Sequence, residues 1–268
     1  MQYIDAPALS TVPTLVLVHG SWHDGSCWSA VQAQLAAAGV RSIAPTLPGH
    51  GAGDDRLGVR HADYVASMVN ALAGLSAPAV LVGHSFGGSV ISRVAALHPE
   101  RCGGLVYYSA FVPRDGECVA DSLPAQLIEF LDQAAAASDD RTITLPDELL
   151  EQAFANTADE YTLARIRALL VPEPHAPIFE TLSLPSFTRL GIPTAYITCR
   201  DDLSLPPGAF HPGQSSRLHE PEMIEIDGDH ECLLTAPERL ADALLEALDG
   251  IHAAHRPHRN SRARRAGL

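Results

Sequence analysis

The chain contains no lysine; all 18 of its basic residues are arginine. That absence excludes a Walker A phosphate loop, a Schiff-base lysine and a Ser–Lys dyad, each of which needs an amine at a fixed place. Cysteine is scarce and odd in number. Cys27, Cys102, Cys118, Cys199 and Cys232 form no CxxC pair, so the pattern has neither zinc-ribbon spacing nor a disulfide framework. Reduced thiols in a cytoplasmic protein are the expectation. No apolar run approaches the ~20 residues needed to span a bilayer. The stretch 12–18 is broken by Pro13 and Thr14 and has no basic region before it, so it does not read as a signal peptide. No GxGxxG follows a strand pattern, and His23 with Asp24 makes one pair, not a coordination shell. Neither a cofactor nor a metal is expected.

What is present describes a globular enzyme-sized domain. Hydrophobic residues make up 46% and charged residues 19% of 268 positions, enough to bury a core without staples. Five of the 18 arginines lie in 252–268, which leaves 13 against all 32 acids in 1–251. So acidic a body argues against nucleic acid or a polyanionic substrate as partner. The basic tail, 252–268, reads as disordered.

Short apolar runs alternate with helical patterns. Strands are expected at 15–18, 40–44, 79–82, 105–109, 194–198 and 223–226, with helices at 31–38, 60–75, from the Gly87-Gly88 pair to His98, and at 237–248. Such alternation indicates a mostly parallel sheet flanked by helices. From about 114 to 190 the rhythm changes to helical patterns at 125–137, 147–155 and 161–170 with proline-rich joints. This segment reads as a helical cap inserted between two strands of a single domain, 1–251.

The chemistry concentrates at Gly83-His84-Ser85-Phe86-Gly87. A GxSxG between a strand and a helix is the context of a nucleophile elbow, in which a strained turn pushes a serine hydroxyl out at the carboxyl edge of the sheet. A serine hydroxyl needs a base, and the base an orienting acid, in the chain order Ser, acid, His. Among the downstream histidines, His98, His175, His211, His219 and His230, only His230 directly follows a strand and precedes the last helix. His211 and His219 fall in an irregular stretch and read as surface residues. The acid should follow the strand 194–198, where Asp201 and Asp202 both stand; Asp115 and Glu117 are weaker alternatives. The oxyanion hole needs two N–H donors, assigned to Phe86 after the nucleophile and Ser21 in the loop after the first strand. His19, His50 and His84 read as structural. Trp22, His23, Trp28 and Phe111 are candidate pocket residues.

Together these residues resemble the α/β-hydrolase superfamily. Within it, LVLVHGSWHDGSCW (15–28), LVGHSFGG (81–88), YITCRDD (196–202) and IDGDHECLLTAPERLADALLEAL (226–248) are similar to the plant methylesterase and hydroxynitrile lyase group and its bacterial esterase relatives. The resemblance spans about 15–248 and implies an α/β-hydrolase fold. That group's spacing from acid to histidine favours Asp202 over Asp201. The lyase branch resembled here carries Thr where this chain has Gly20, and Lys where it has Glu231. Glu would repel a cyanide anion, so the departures disfavour cyanohydrin cleavage.

The reading is a serine esterase that cleaves a carboxylic ester of a small, mostly apolar molecule through Ser85, His230 and Asp202. Its rivals are lactone or thioester hydrolysis, or a lyase or cyclase step, by the same triad. A small-molecule receptor without catalysis is a more distant one. The sequence leaves a homodimer open and gives no sign of a membrane partner.

Overall fold

Short strands that are apolar throughout are stable only where both faces are covered, and the four inner strands of the sheet are built that way. The computed structural model describes residues 4–5 and 12–255. In it, β1 (Leu15–Val18), β2 (Ser42–Ile43), β3 (Ala79–His84), β4 (Cys102–Tyr108), β5 (Thr194–Cys199) and β6 (Glu222–Ile226) form one sheet. The order is β6-β5-β4-β3-β1-β2, and every pairing is parallel. The longer helices are α1 (Ser29–Ala37), α2 (His61–Ala73), α3 (Gly87–Leu97), α4 (Ala125–Ala136), α5 (Glu160–Leu169) and α6 (Pro237–Ala254).

Alternate residues of β1 serve two cores. Leu15 and Leu17 pack in one cluster with Val31 and Leu35 of α1 and Leu240 and Leu244 of α6. Val16 and Val18 belong to the other, with Tyr64 and Met68 of α2 and Val90 and Val94 of α3. Each such side chain contributes about 1.5–3 kcal/mol on leaving water. Among the described residues no helix is long and apolar enough to cross a membrane.

Three departures from the sequence pattern stand out, and the first two have a packing cause. β4 starts at Cys102, three residues before the apolar run that announced it. Gly104 has poor strand propensity, yet a Cβ there would lie 2.8 Å from Ile251 Cγ2, so close packing of α6 on the strand decides the element. α6 in turn runs on to Ala254, past the 248 expected, because Ile251 is buried there and His255 Nε2 donates to the Gly103 carbonyl at 2.6 Å. Residues 252–254 of the expected tail are therefore helical; 256–268, and the reading of them as disordered, lie outside the described residues. Third, the stretch 147–155 is a single α-turn, Asp147–Leu149, continued by a π-turn, Leu150–Phe154.

The chain leaves the sheet after β4 and returns at β5. Between them lie α4, α5 and an antiparallel contact that joins Thr142–Ile143 to Glu173–Pro174. Two-residue strands carry no readable period, and the second contains a proline, so this contact had no sequence signal.

Candidate active site

The turn from β3 to α3 holds Ser85 at φ 50°, a left-handed conformation that costs a non-glycine residue about 1–3 kcal/mol. The neighbouring ladder over-determines it. The Ser85 N–H donates to the Tyr108 carbonyl at 3.1 Å, and the Ser85 carbonyl accepts from Gly88 and Phe111, each at 3.1 Å. Small residues flank the turn because backbone crowds it. A Cβ on Gly83 would sit 2.7 Å from the Gly87 carbonyl, and one on Gly87 would sit 2.7 Å from the Val18 carbonyl. Gly87→Ala is therefore expected to destabilise the protein by about 1–3 kcal/mol, read as a lower denaturant midpoint at unchanged slope.

His230 follows β6 and Asp202 follows β5. His230 Nδ1 and Asp202 Oδ2 are 2.8 Å apart, both side chains being fully buried. The other Asp202 oxygen accepts from the Ser204 and Leu205 N–H groups at 2.9 and 2.8 Å, so the carboxylate cannot swing. Burial opposes its charge, but His230 and the Leu205 N–H hold its pKa below the usual carboxylate value. For His230, burial alone would depress the pKa; Asp202, Glu231 and Asp229 outweigh it and raise it. With Nδ1 engaged, His230 Nε2 makes no hydrogen bond among the described residues. Asp201 is exposed and accepts the Gly228 N–H at 3.2 Å. Asp115 accepts from Leu184 N–H, and Glu117 pairs with Arg114 and Arg217; none of the three approaches His230.

Two residues that sequence reasoning missed or left as packing fix the backbone of His230. Its carbonyl accepts from the Tyr108 hydroxyl at 2.8 Å and from His84 Nε2 at 3.1 Å. The two rings stack with centroids 4.6 Å apart. Burial, reinforced by the nearby His230, holds His84 well below its ordinary pKa, so it is neutral and donates through one nitrogen. The position of Tyr108, at the carboxyl end of β4, was the only signal available.

Ser21 and Phe86 face this edge. Neither backbone N–H is used in a hydrogen bond among the described residues. The Gly20 carbonyl, which belongs to the same peptide unit as the Ser21 N–H, accepts from His19 Nδ1 at 2.8 Å. His19 Nε2 accepts the Leu47 N–H at 3.0 Å. The pair of bonds requires one neutral tautomer, in keeping with a pKa that burial pushes well down. Gly20 is required by contact, since a Cβ there would lie 2.9 Å from Ser85 Cβ.

A small cavity of about 60 Å³ opens at Ser85. Its wall includes Ser21, Trp22, Phe86, Phe111, Phe154 and Leu205, and Leu127 and Ile178 reach it from the inserted segment. Of the four candidate pocket residues, Trp22 and Phe111 line it. Trp28 does not: it is fully buried, set edge-on against His84 and Tyr108 beneath the elbow. His23 does not either. Its Nε2 contacts Glu231 Oε2 at 3.0 Å in the interior. Burial would raise the Glu231 pKa, but His23, His84 and His230 bring it to about 2, so Glu231 is an ionised carboxylate turned toward His23. His211 is a further correction. It is buried, edge-on to Tyr196 at 5.0 Å, because the proline- and glycine-containing stretch folds back over that ring. Phe154, from the π-turn, was not anticipated; its ring stands edge-on to His230 at 5.0 Å and to Trp22 at 5.5 Å.

A parallel sheet with a strained serine turn at one carboxyl edge, and a buried imidazole–carboxylate pair from the loops after its last two strands, is the architecture of an α/β-hydrolase. Comparison with known proteins agrees: residues 15–243 match the model of the alpha/beta hydrolase family, and the chain belongs to that family. It is 28% identical to a pyrethroid hydrolase of Sphingobium wenxiniae, over 89% of each chain. It is 27% identical to methylesterase 7 of Arabidopsis thaliana, over 87% of this chain and 95% of that protein. Among solved structures, an extracellular alpha/beta-hydrolase from a Paenibacillus species superposes with a TM-score of 0.84 at 37% identity, over 88% of this chain and 98% of that one.

Proposed function

We propose that this protein hydrolyses a carboxylic ester of a small, mostly apolar molecule through an acyl-enzyme. The reading rests on one observation above all: a strained Ser85 at the mouth of an apolar cavity, on the same sheet edge as an imidazole bonded to a buried carboxylate. Relatives named methylesterase and pyrethroid hydrolase support an ester as substrate.

Ser85 Oγ attacks the carbonyl carbon while His230 Nε2 takes its proton. Asp202 holds the imidazole with Nδ1 protonated and stabilises the cation that forms. The negative oxygen of the tetrahedral intermediate is met by the Ser21 and Phe86 N–H groups, which need no reorganisation to receive it. The intermediate collapses as His230 protonates the departing alkoxide. Water, deprotonated by the same imidazole, then releases the acid. Leu127 and Ile178 of the inserted segment border the space that receives the acyl group.

The base must be neutral to act, and its pKa is raised. kcat/KM is therefore expected to fall as pH drops through a value above about 6.5. A pH–rate profile with its acid limb centred below that would contradict the Asp202–His230 coupling. The function itself is tested by reaction with a serine-reactive fluorophosphonate followed by a screen of methyl and aryl esters. Labelling with burst release of p-nitrophenol from p-nitrophenyl acetate is expected; a protein that neither labels nor turns over any ester would remove the proposal. A cytoplasmic location belongs to the same reading, supported by five cysteines that are all free.

A further inference from the structure

Trp22 directly follows Ser21 and has a left-handed backbone, φ 62°. It is held by the inserted segment at three points. Its N–H donates to Glu173 Oε2 at 3.0 Å, its carbonyl accepts from the Val171 N–H at 2.8 Å, and its indole N–H donates to the Ile143 carbonyl at 3.0 Å. No residue of the sheet supplies any of these bonds. Glu173 is fully buried, and the same oxygen that receives the Trp22 N–H lies 2.9 Å from His50 Nε2. Burial opposes a charge on His50, but Glu173 raises its pKa. The loop carrying His50 is shaped to receive this strand: Gly49 has φ 82°, and a Cβ there would lie 2.9 Å from Pro174.

The consequence falls on the residue before Trp22. A left-handed tryptophan is strained, and its bonds to Glu173 and Val171 fix the Ser21–Trp22 and Trp22–His23 peptides, the first of which joins the Gly20–Ser21 peptide through the Ser21 Cα. The Ser21 N–H has no hydrogen-bond partner among the described residues, and its peptide is pinned from the other end by His19. We propose that Glu173, with Val171, is a positioning residue pair that docks the inserted segment on the oxyanion loop and thereby aims the Ser21 N–H at the reacting oxygen. The inference rests on the hydrolase reading and adds to it: the site is complete only with the segment seated.

The test uses the full chain, with p-nitrophenyl butyrate as substrate and an aryl trifluoromethyl ketone as a mimic of the tetrahedral adduct. Glu173→Met removes the acceptor; Glu173→Gln keeps an oxygen able to accept from both Trp22 and His50. Val171→Pro removes the second contact at a point where Leu170, with ψ 137°, already has the backbone a following proline requires. Glu173→Met is expected to lower kcat about 10–100-fold with KM changed less than about threefold. Trifluoromethyl ketone affinity should weaken in proportion to kcat/KM. Glu173→Gln should restore most of both, and Val171→Pro should reproduce the loss in part. A folded Glu173→Met variant with wild-type kcat and ketone affinity would overturn the proposal, as would a loss that Glu173→Gln fails to recover. If Glu173→Met does not fold, Val171→Pro decides alone, wild-type kcat and ketone affinity in it counting against the proposal. Wild-type protein inert to every ester would instead strike the hydrolase reading, a result separable from all of these.

Discussion

Replacing Ser85 with alanine is expected to abolish covalent labelling by a fluorophosphonate and to lower kcat for ester hydrolysis by about 10⁴–10⁶-fold. The hydroxyl is the only atom lost. The strained turn remains, because its hydrogen bonds to Tyr108, Gly88 and Phe111 all run through backbone. A small residual rate is expected, since the spare N–H groups of Ser21 and Phe86 still polarise a bound carbonyl while water attacks. The melting temperature should hold or rise slightly, as alanine does not restore the cost of the left-handed backbone but removes a buried hydroxyl from an apolar wall. Labelling with turnover intact in Ser85→Ala would mean that another nucleophile does the work.

The second large effect separates two adjacent aspartates. Asp202→Asn should lower kcat by about 10³–10⁴-fold. The amide leaves His230 Nδ1 without an anion to hold its proton, and it can present an N–H that favours the wrong tautomer. The imidazolium formed during attack then sits in a fully buried place with its counter-charge gone. Asp201→Asn should stay within about threefold of wild type, since that side chain is exposed and, among the described residues, accepts just the Gly228 N–H. Steady-state kinetics of the two variants, with circular dichroism to establish folding, decides the matter. The reverse pattern would shift the acid by one position.

Both predictions depend on residues that could be named before any coordinates were known, and the reason is geometric. A nucleophile elbow constrains consecutive residues: a strand, a small residue, the serine, and small residues again where backbones touch. Gly83 and Gly87 carry that constraint in the sequence because no other residue fits within 3 Å of a neighbouring carbonyl. The acid and the histidine are likewise announced by the apolar strands that end just before them. Asp201 and Asp202 could not be separated by local pattern, since a one-residue step at a strand end changes which side chain points along the edge. The donors from Ser204 and Leu205 that fix Asp202 appear only when the loop is folded.

The pocket was far less readable. Trp28 and Trp22 stand six residues apart in one motif, yet one lies under the elbow and the other lines the cavity. An aromatic side chain satisfies either environment by burying its ring, so composition does not discriminate. Glu173 had no sequence signal at all. It follows a proline-rich joint, and its importance comes from two partners, Trp22 and His50, more than 120 residues away.

By itself the sequence determined the layered sheet, the serine turn and which histidine follows the last strand, because each is encoded in short-range periodicity or in close backbone contacts that only small residues permit. The tertiary structure alone decided which aromatics line the cavity and how the inserted segment grips the loop beside Ser21, and it brought the carboxylate that the family spacing favoured onto the imidazole. Those are contacts between distant stretches, and they depend on where loops land once the two cores have formed, for which a linear pattern holds no information.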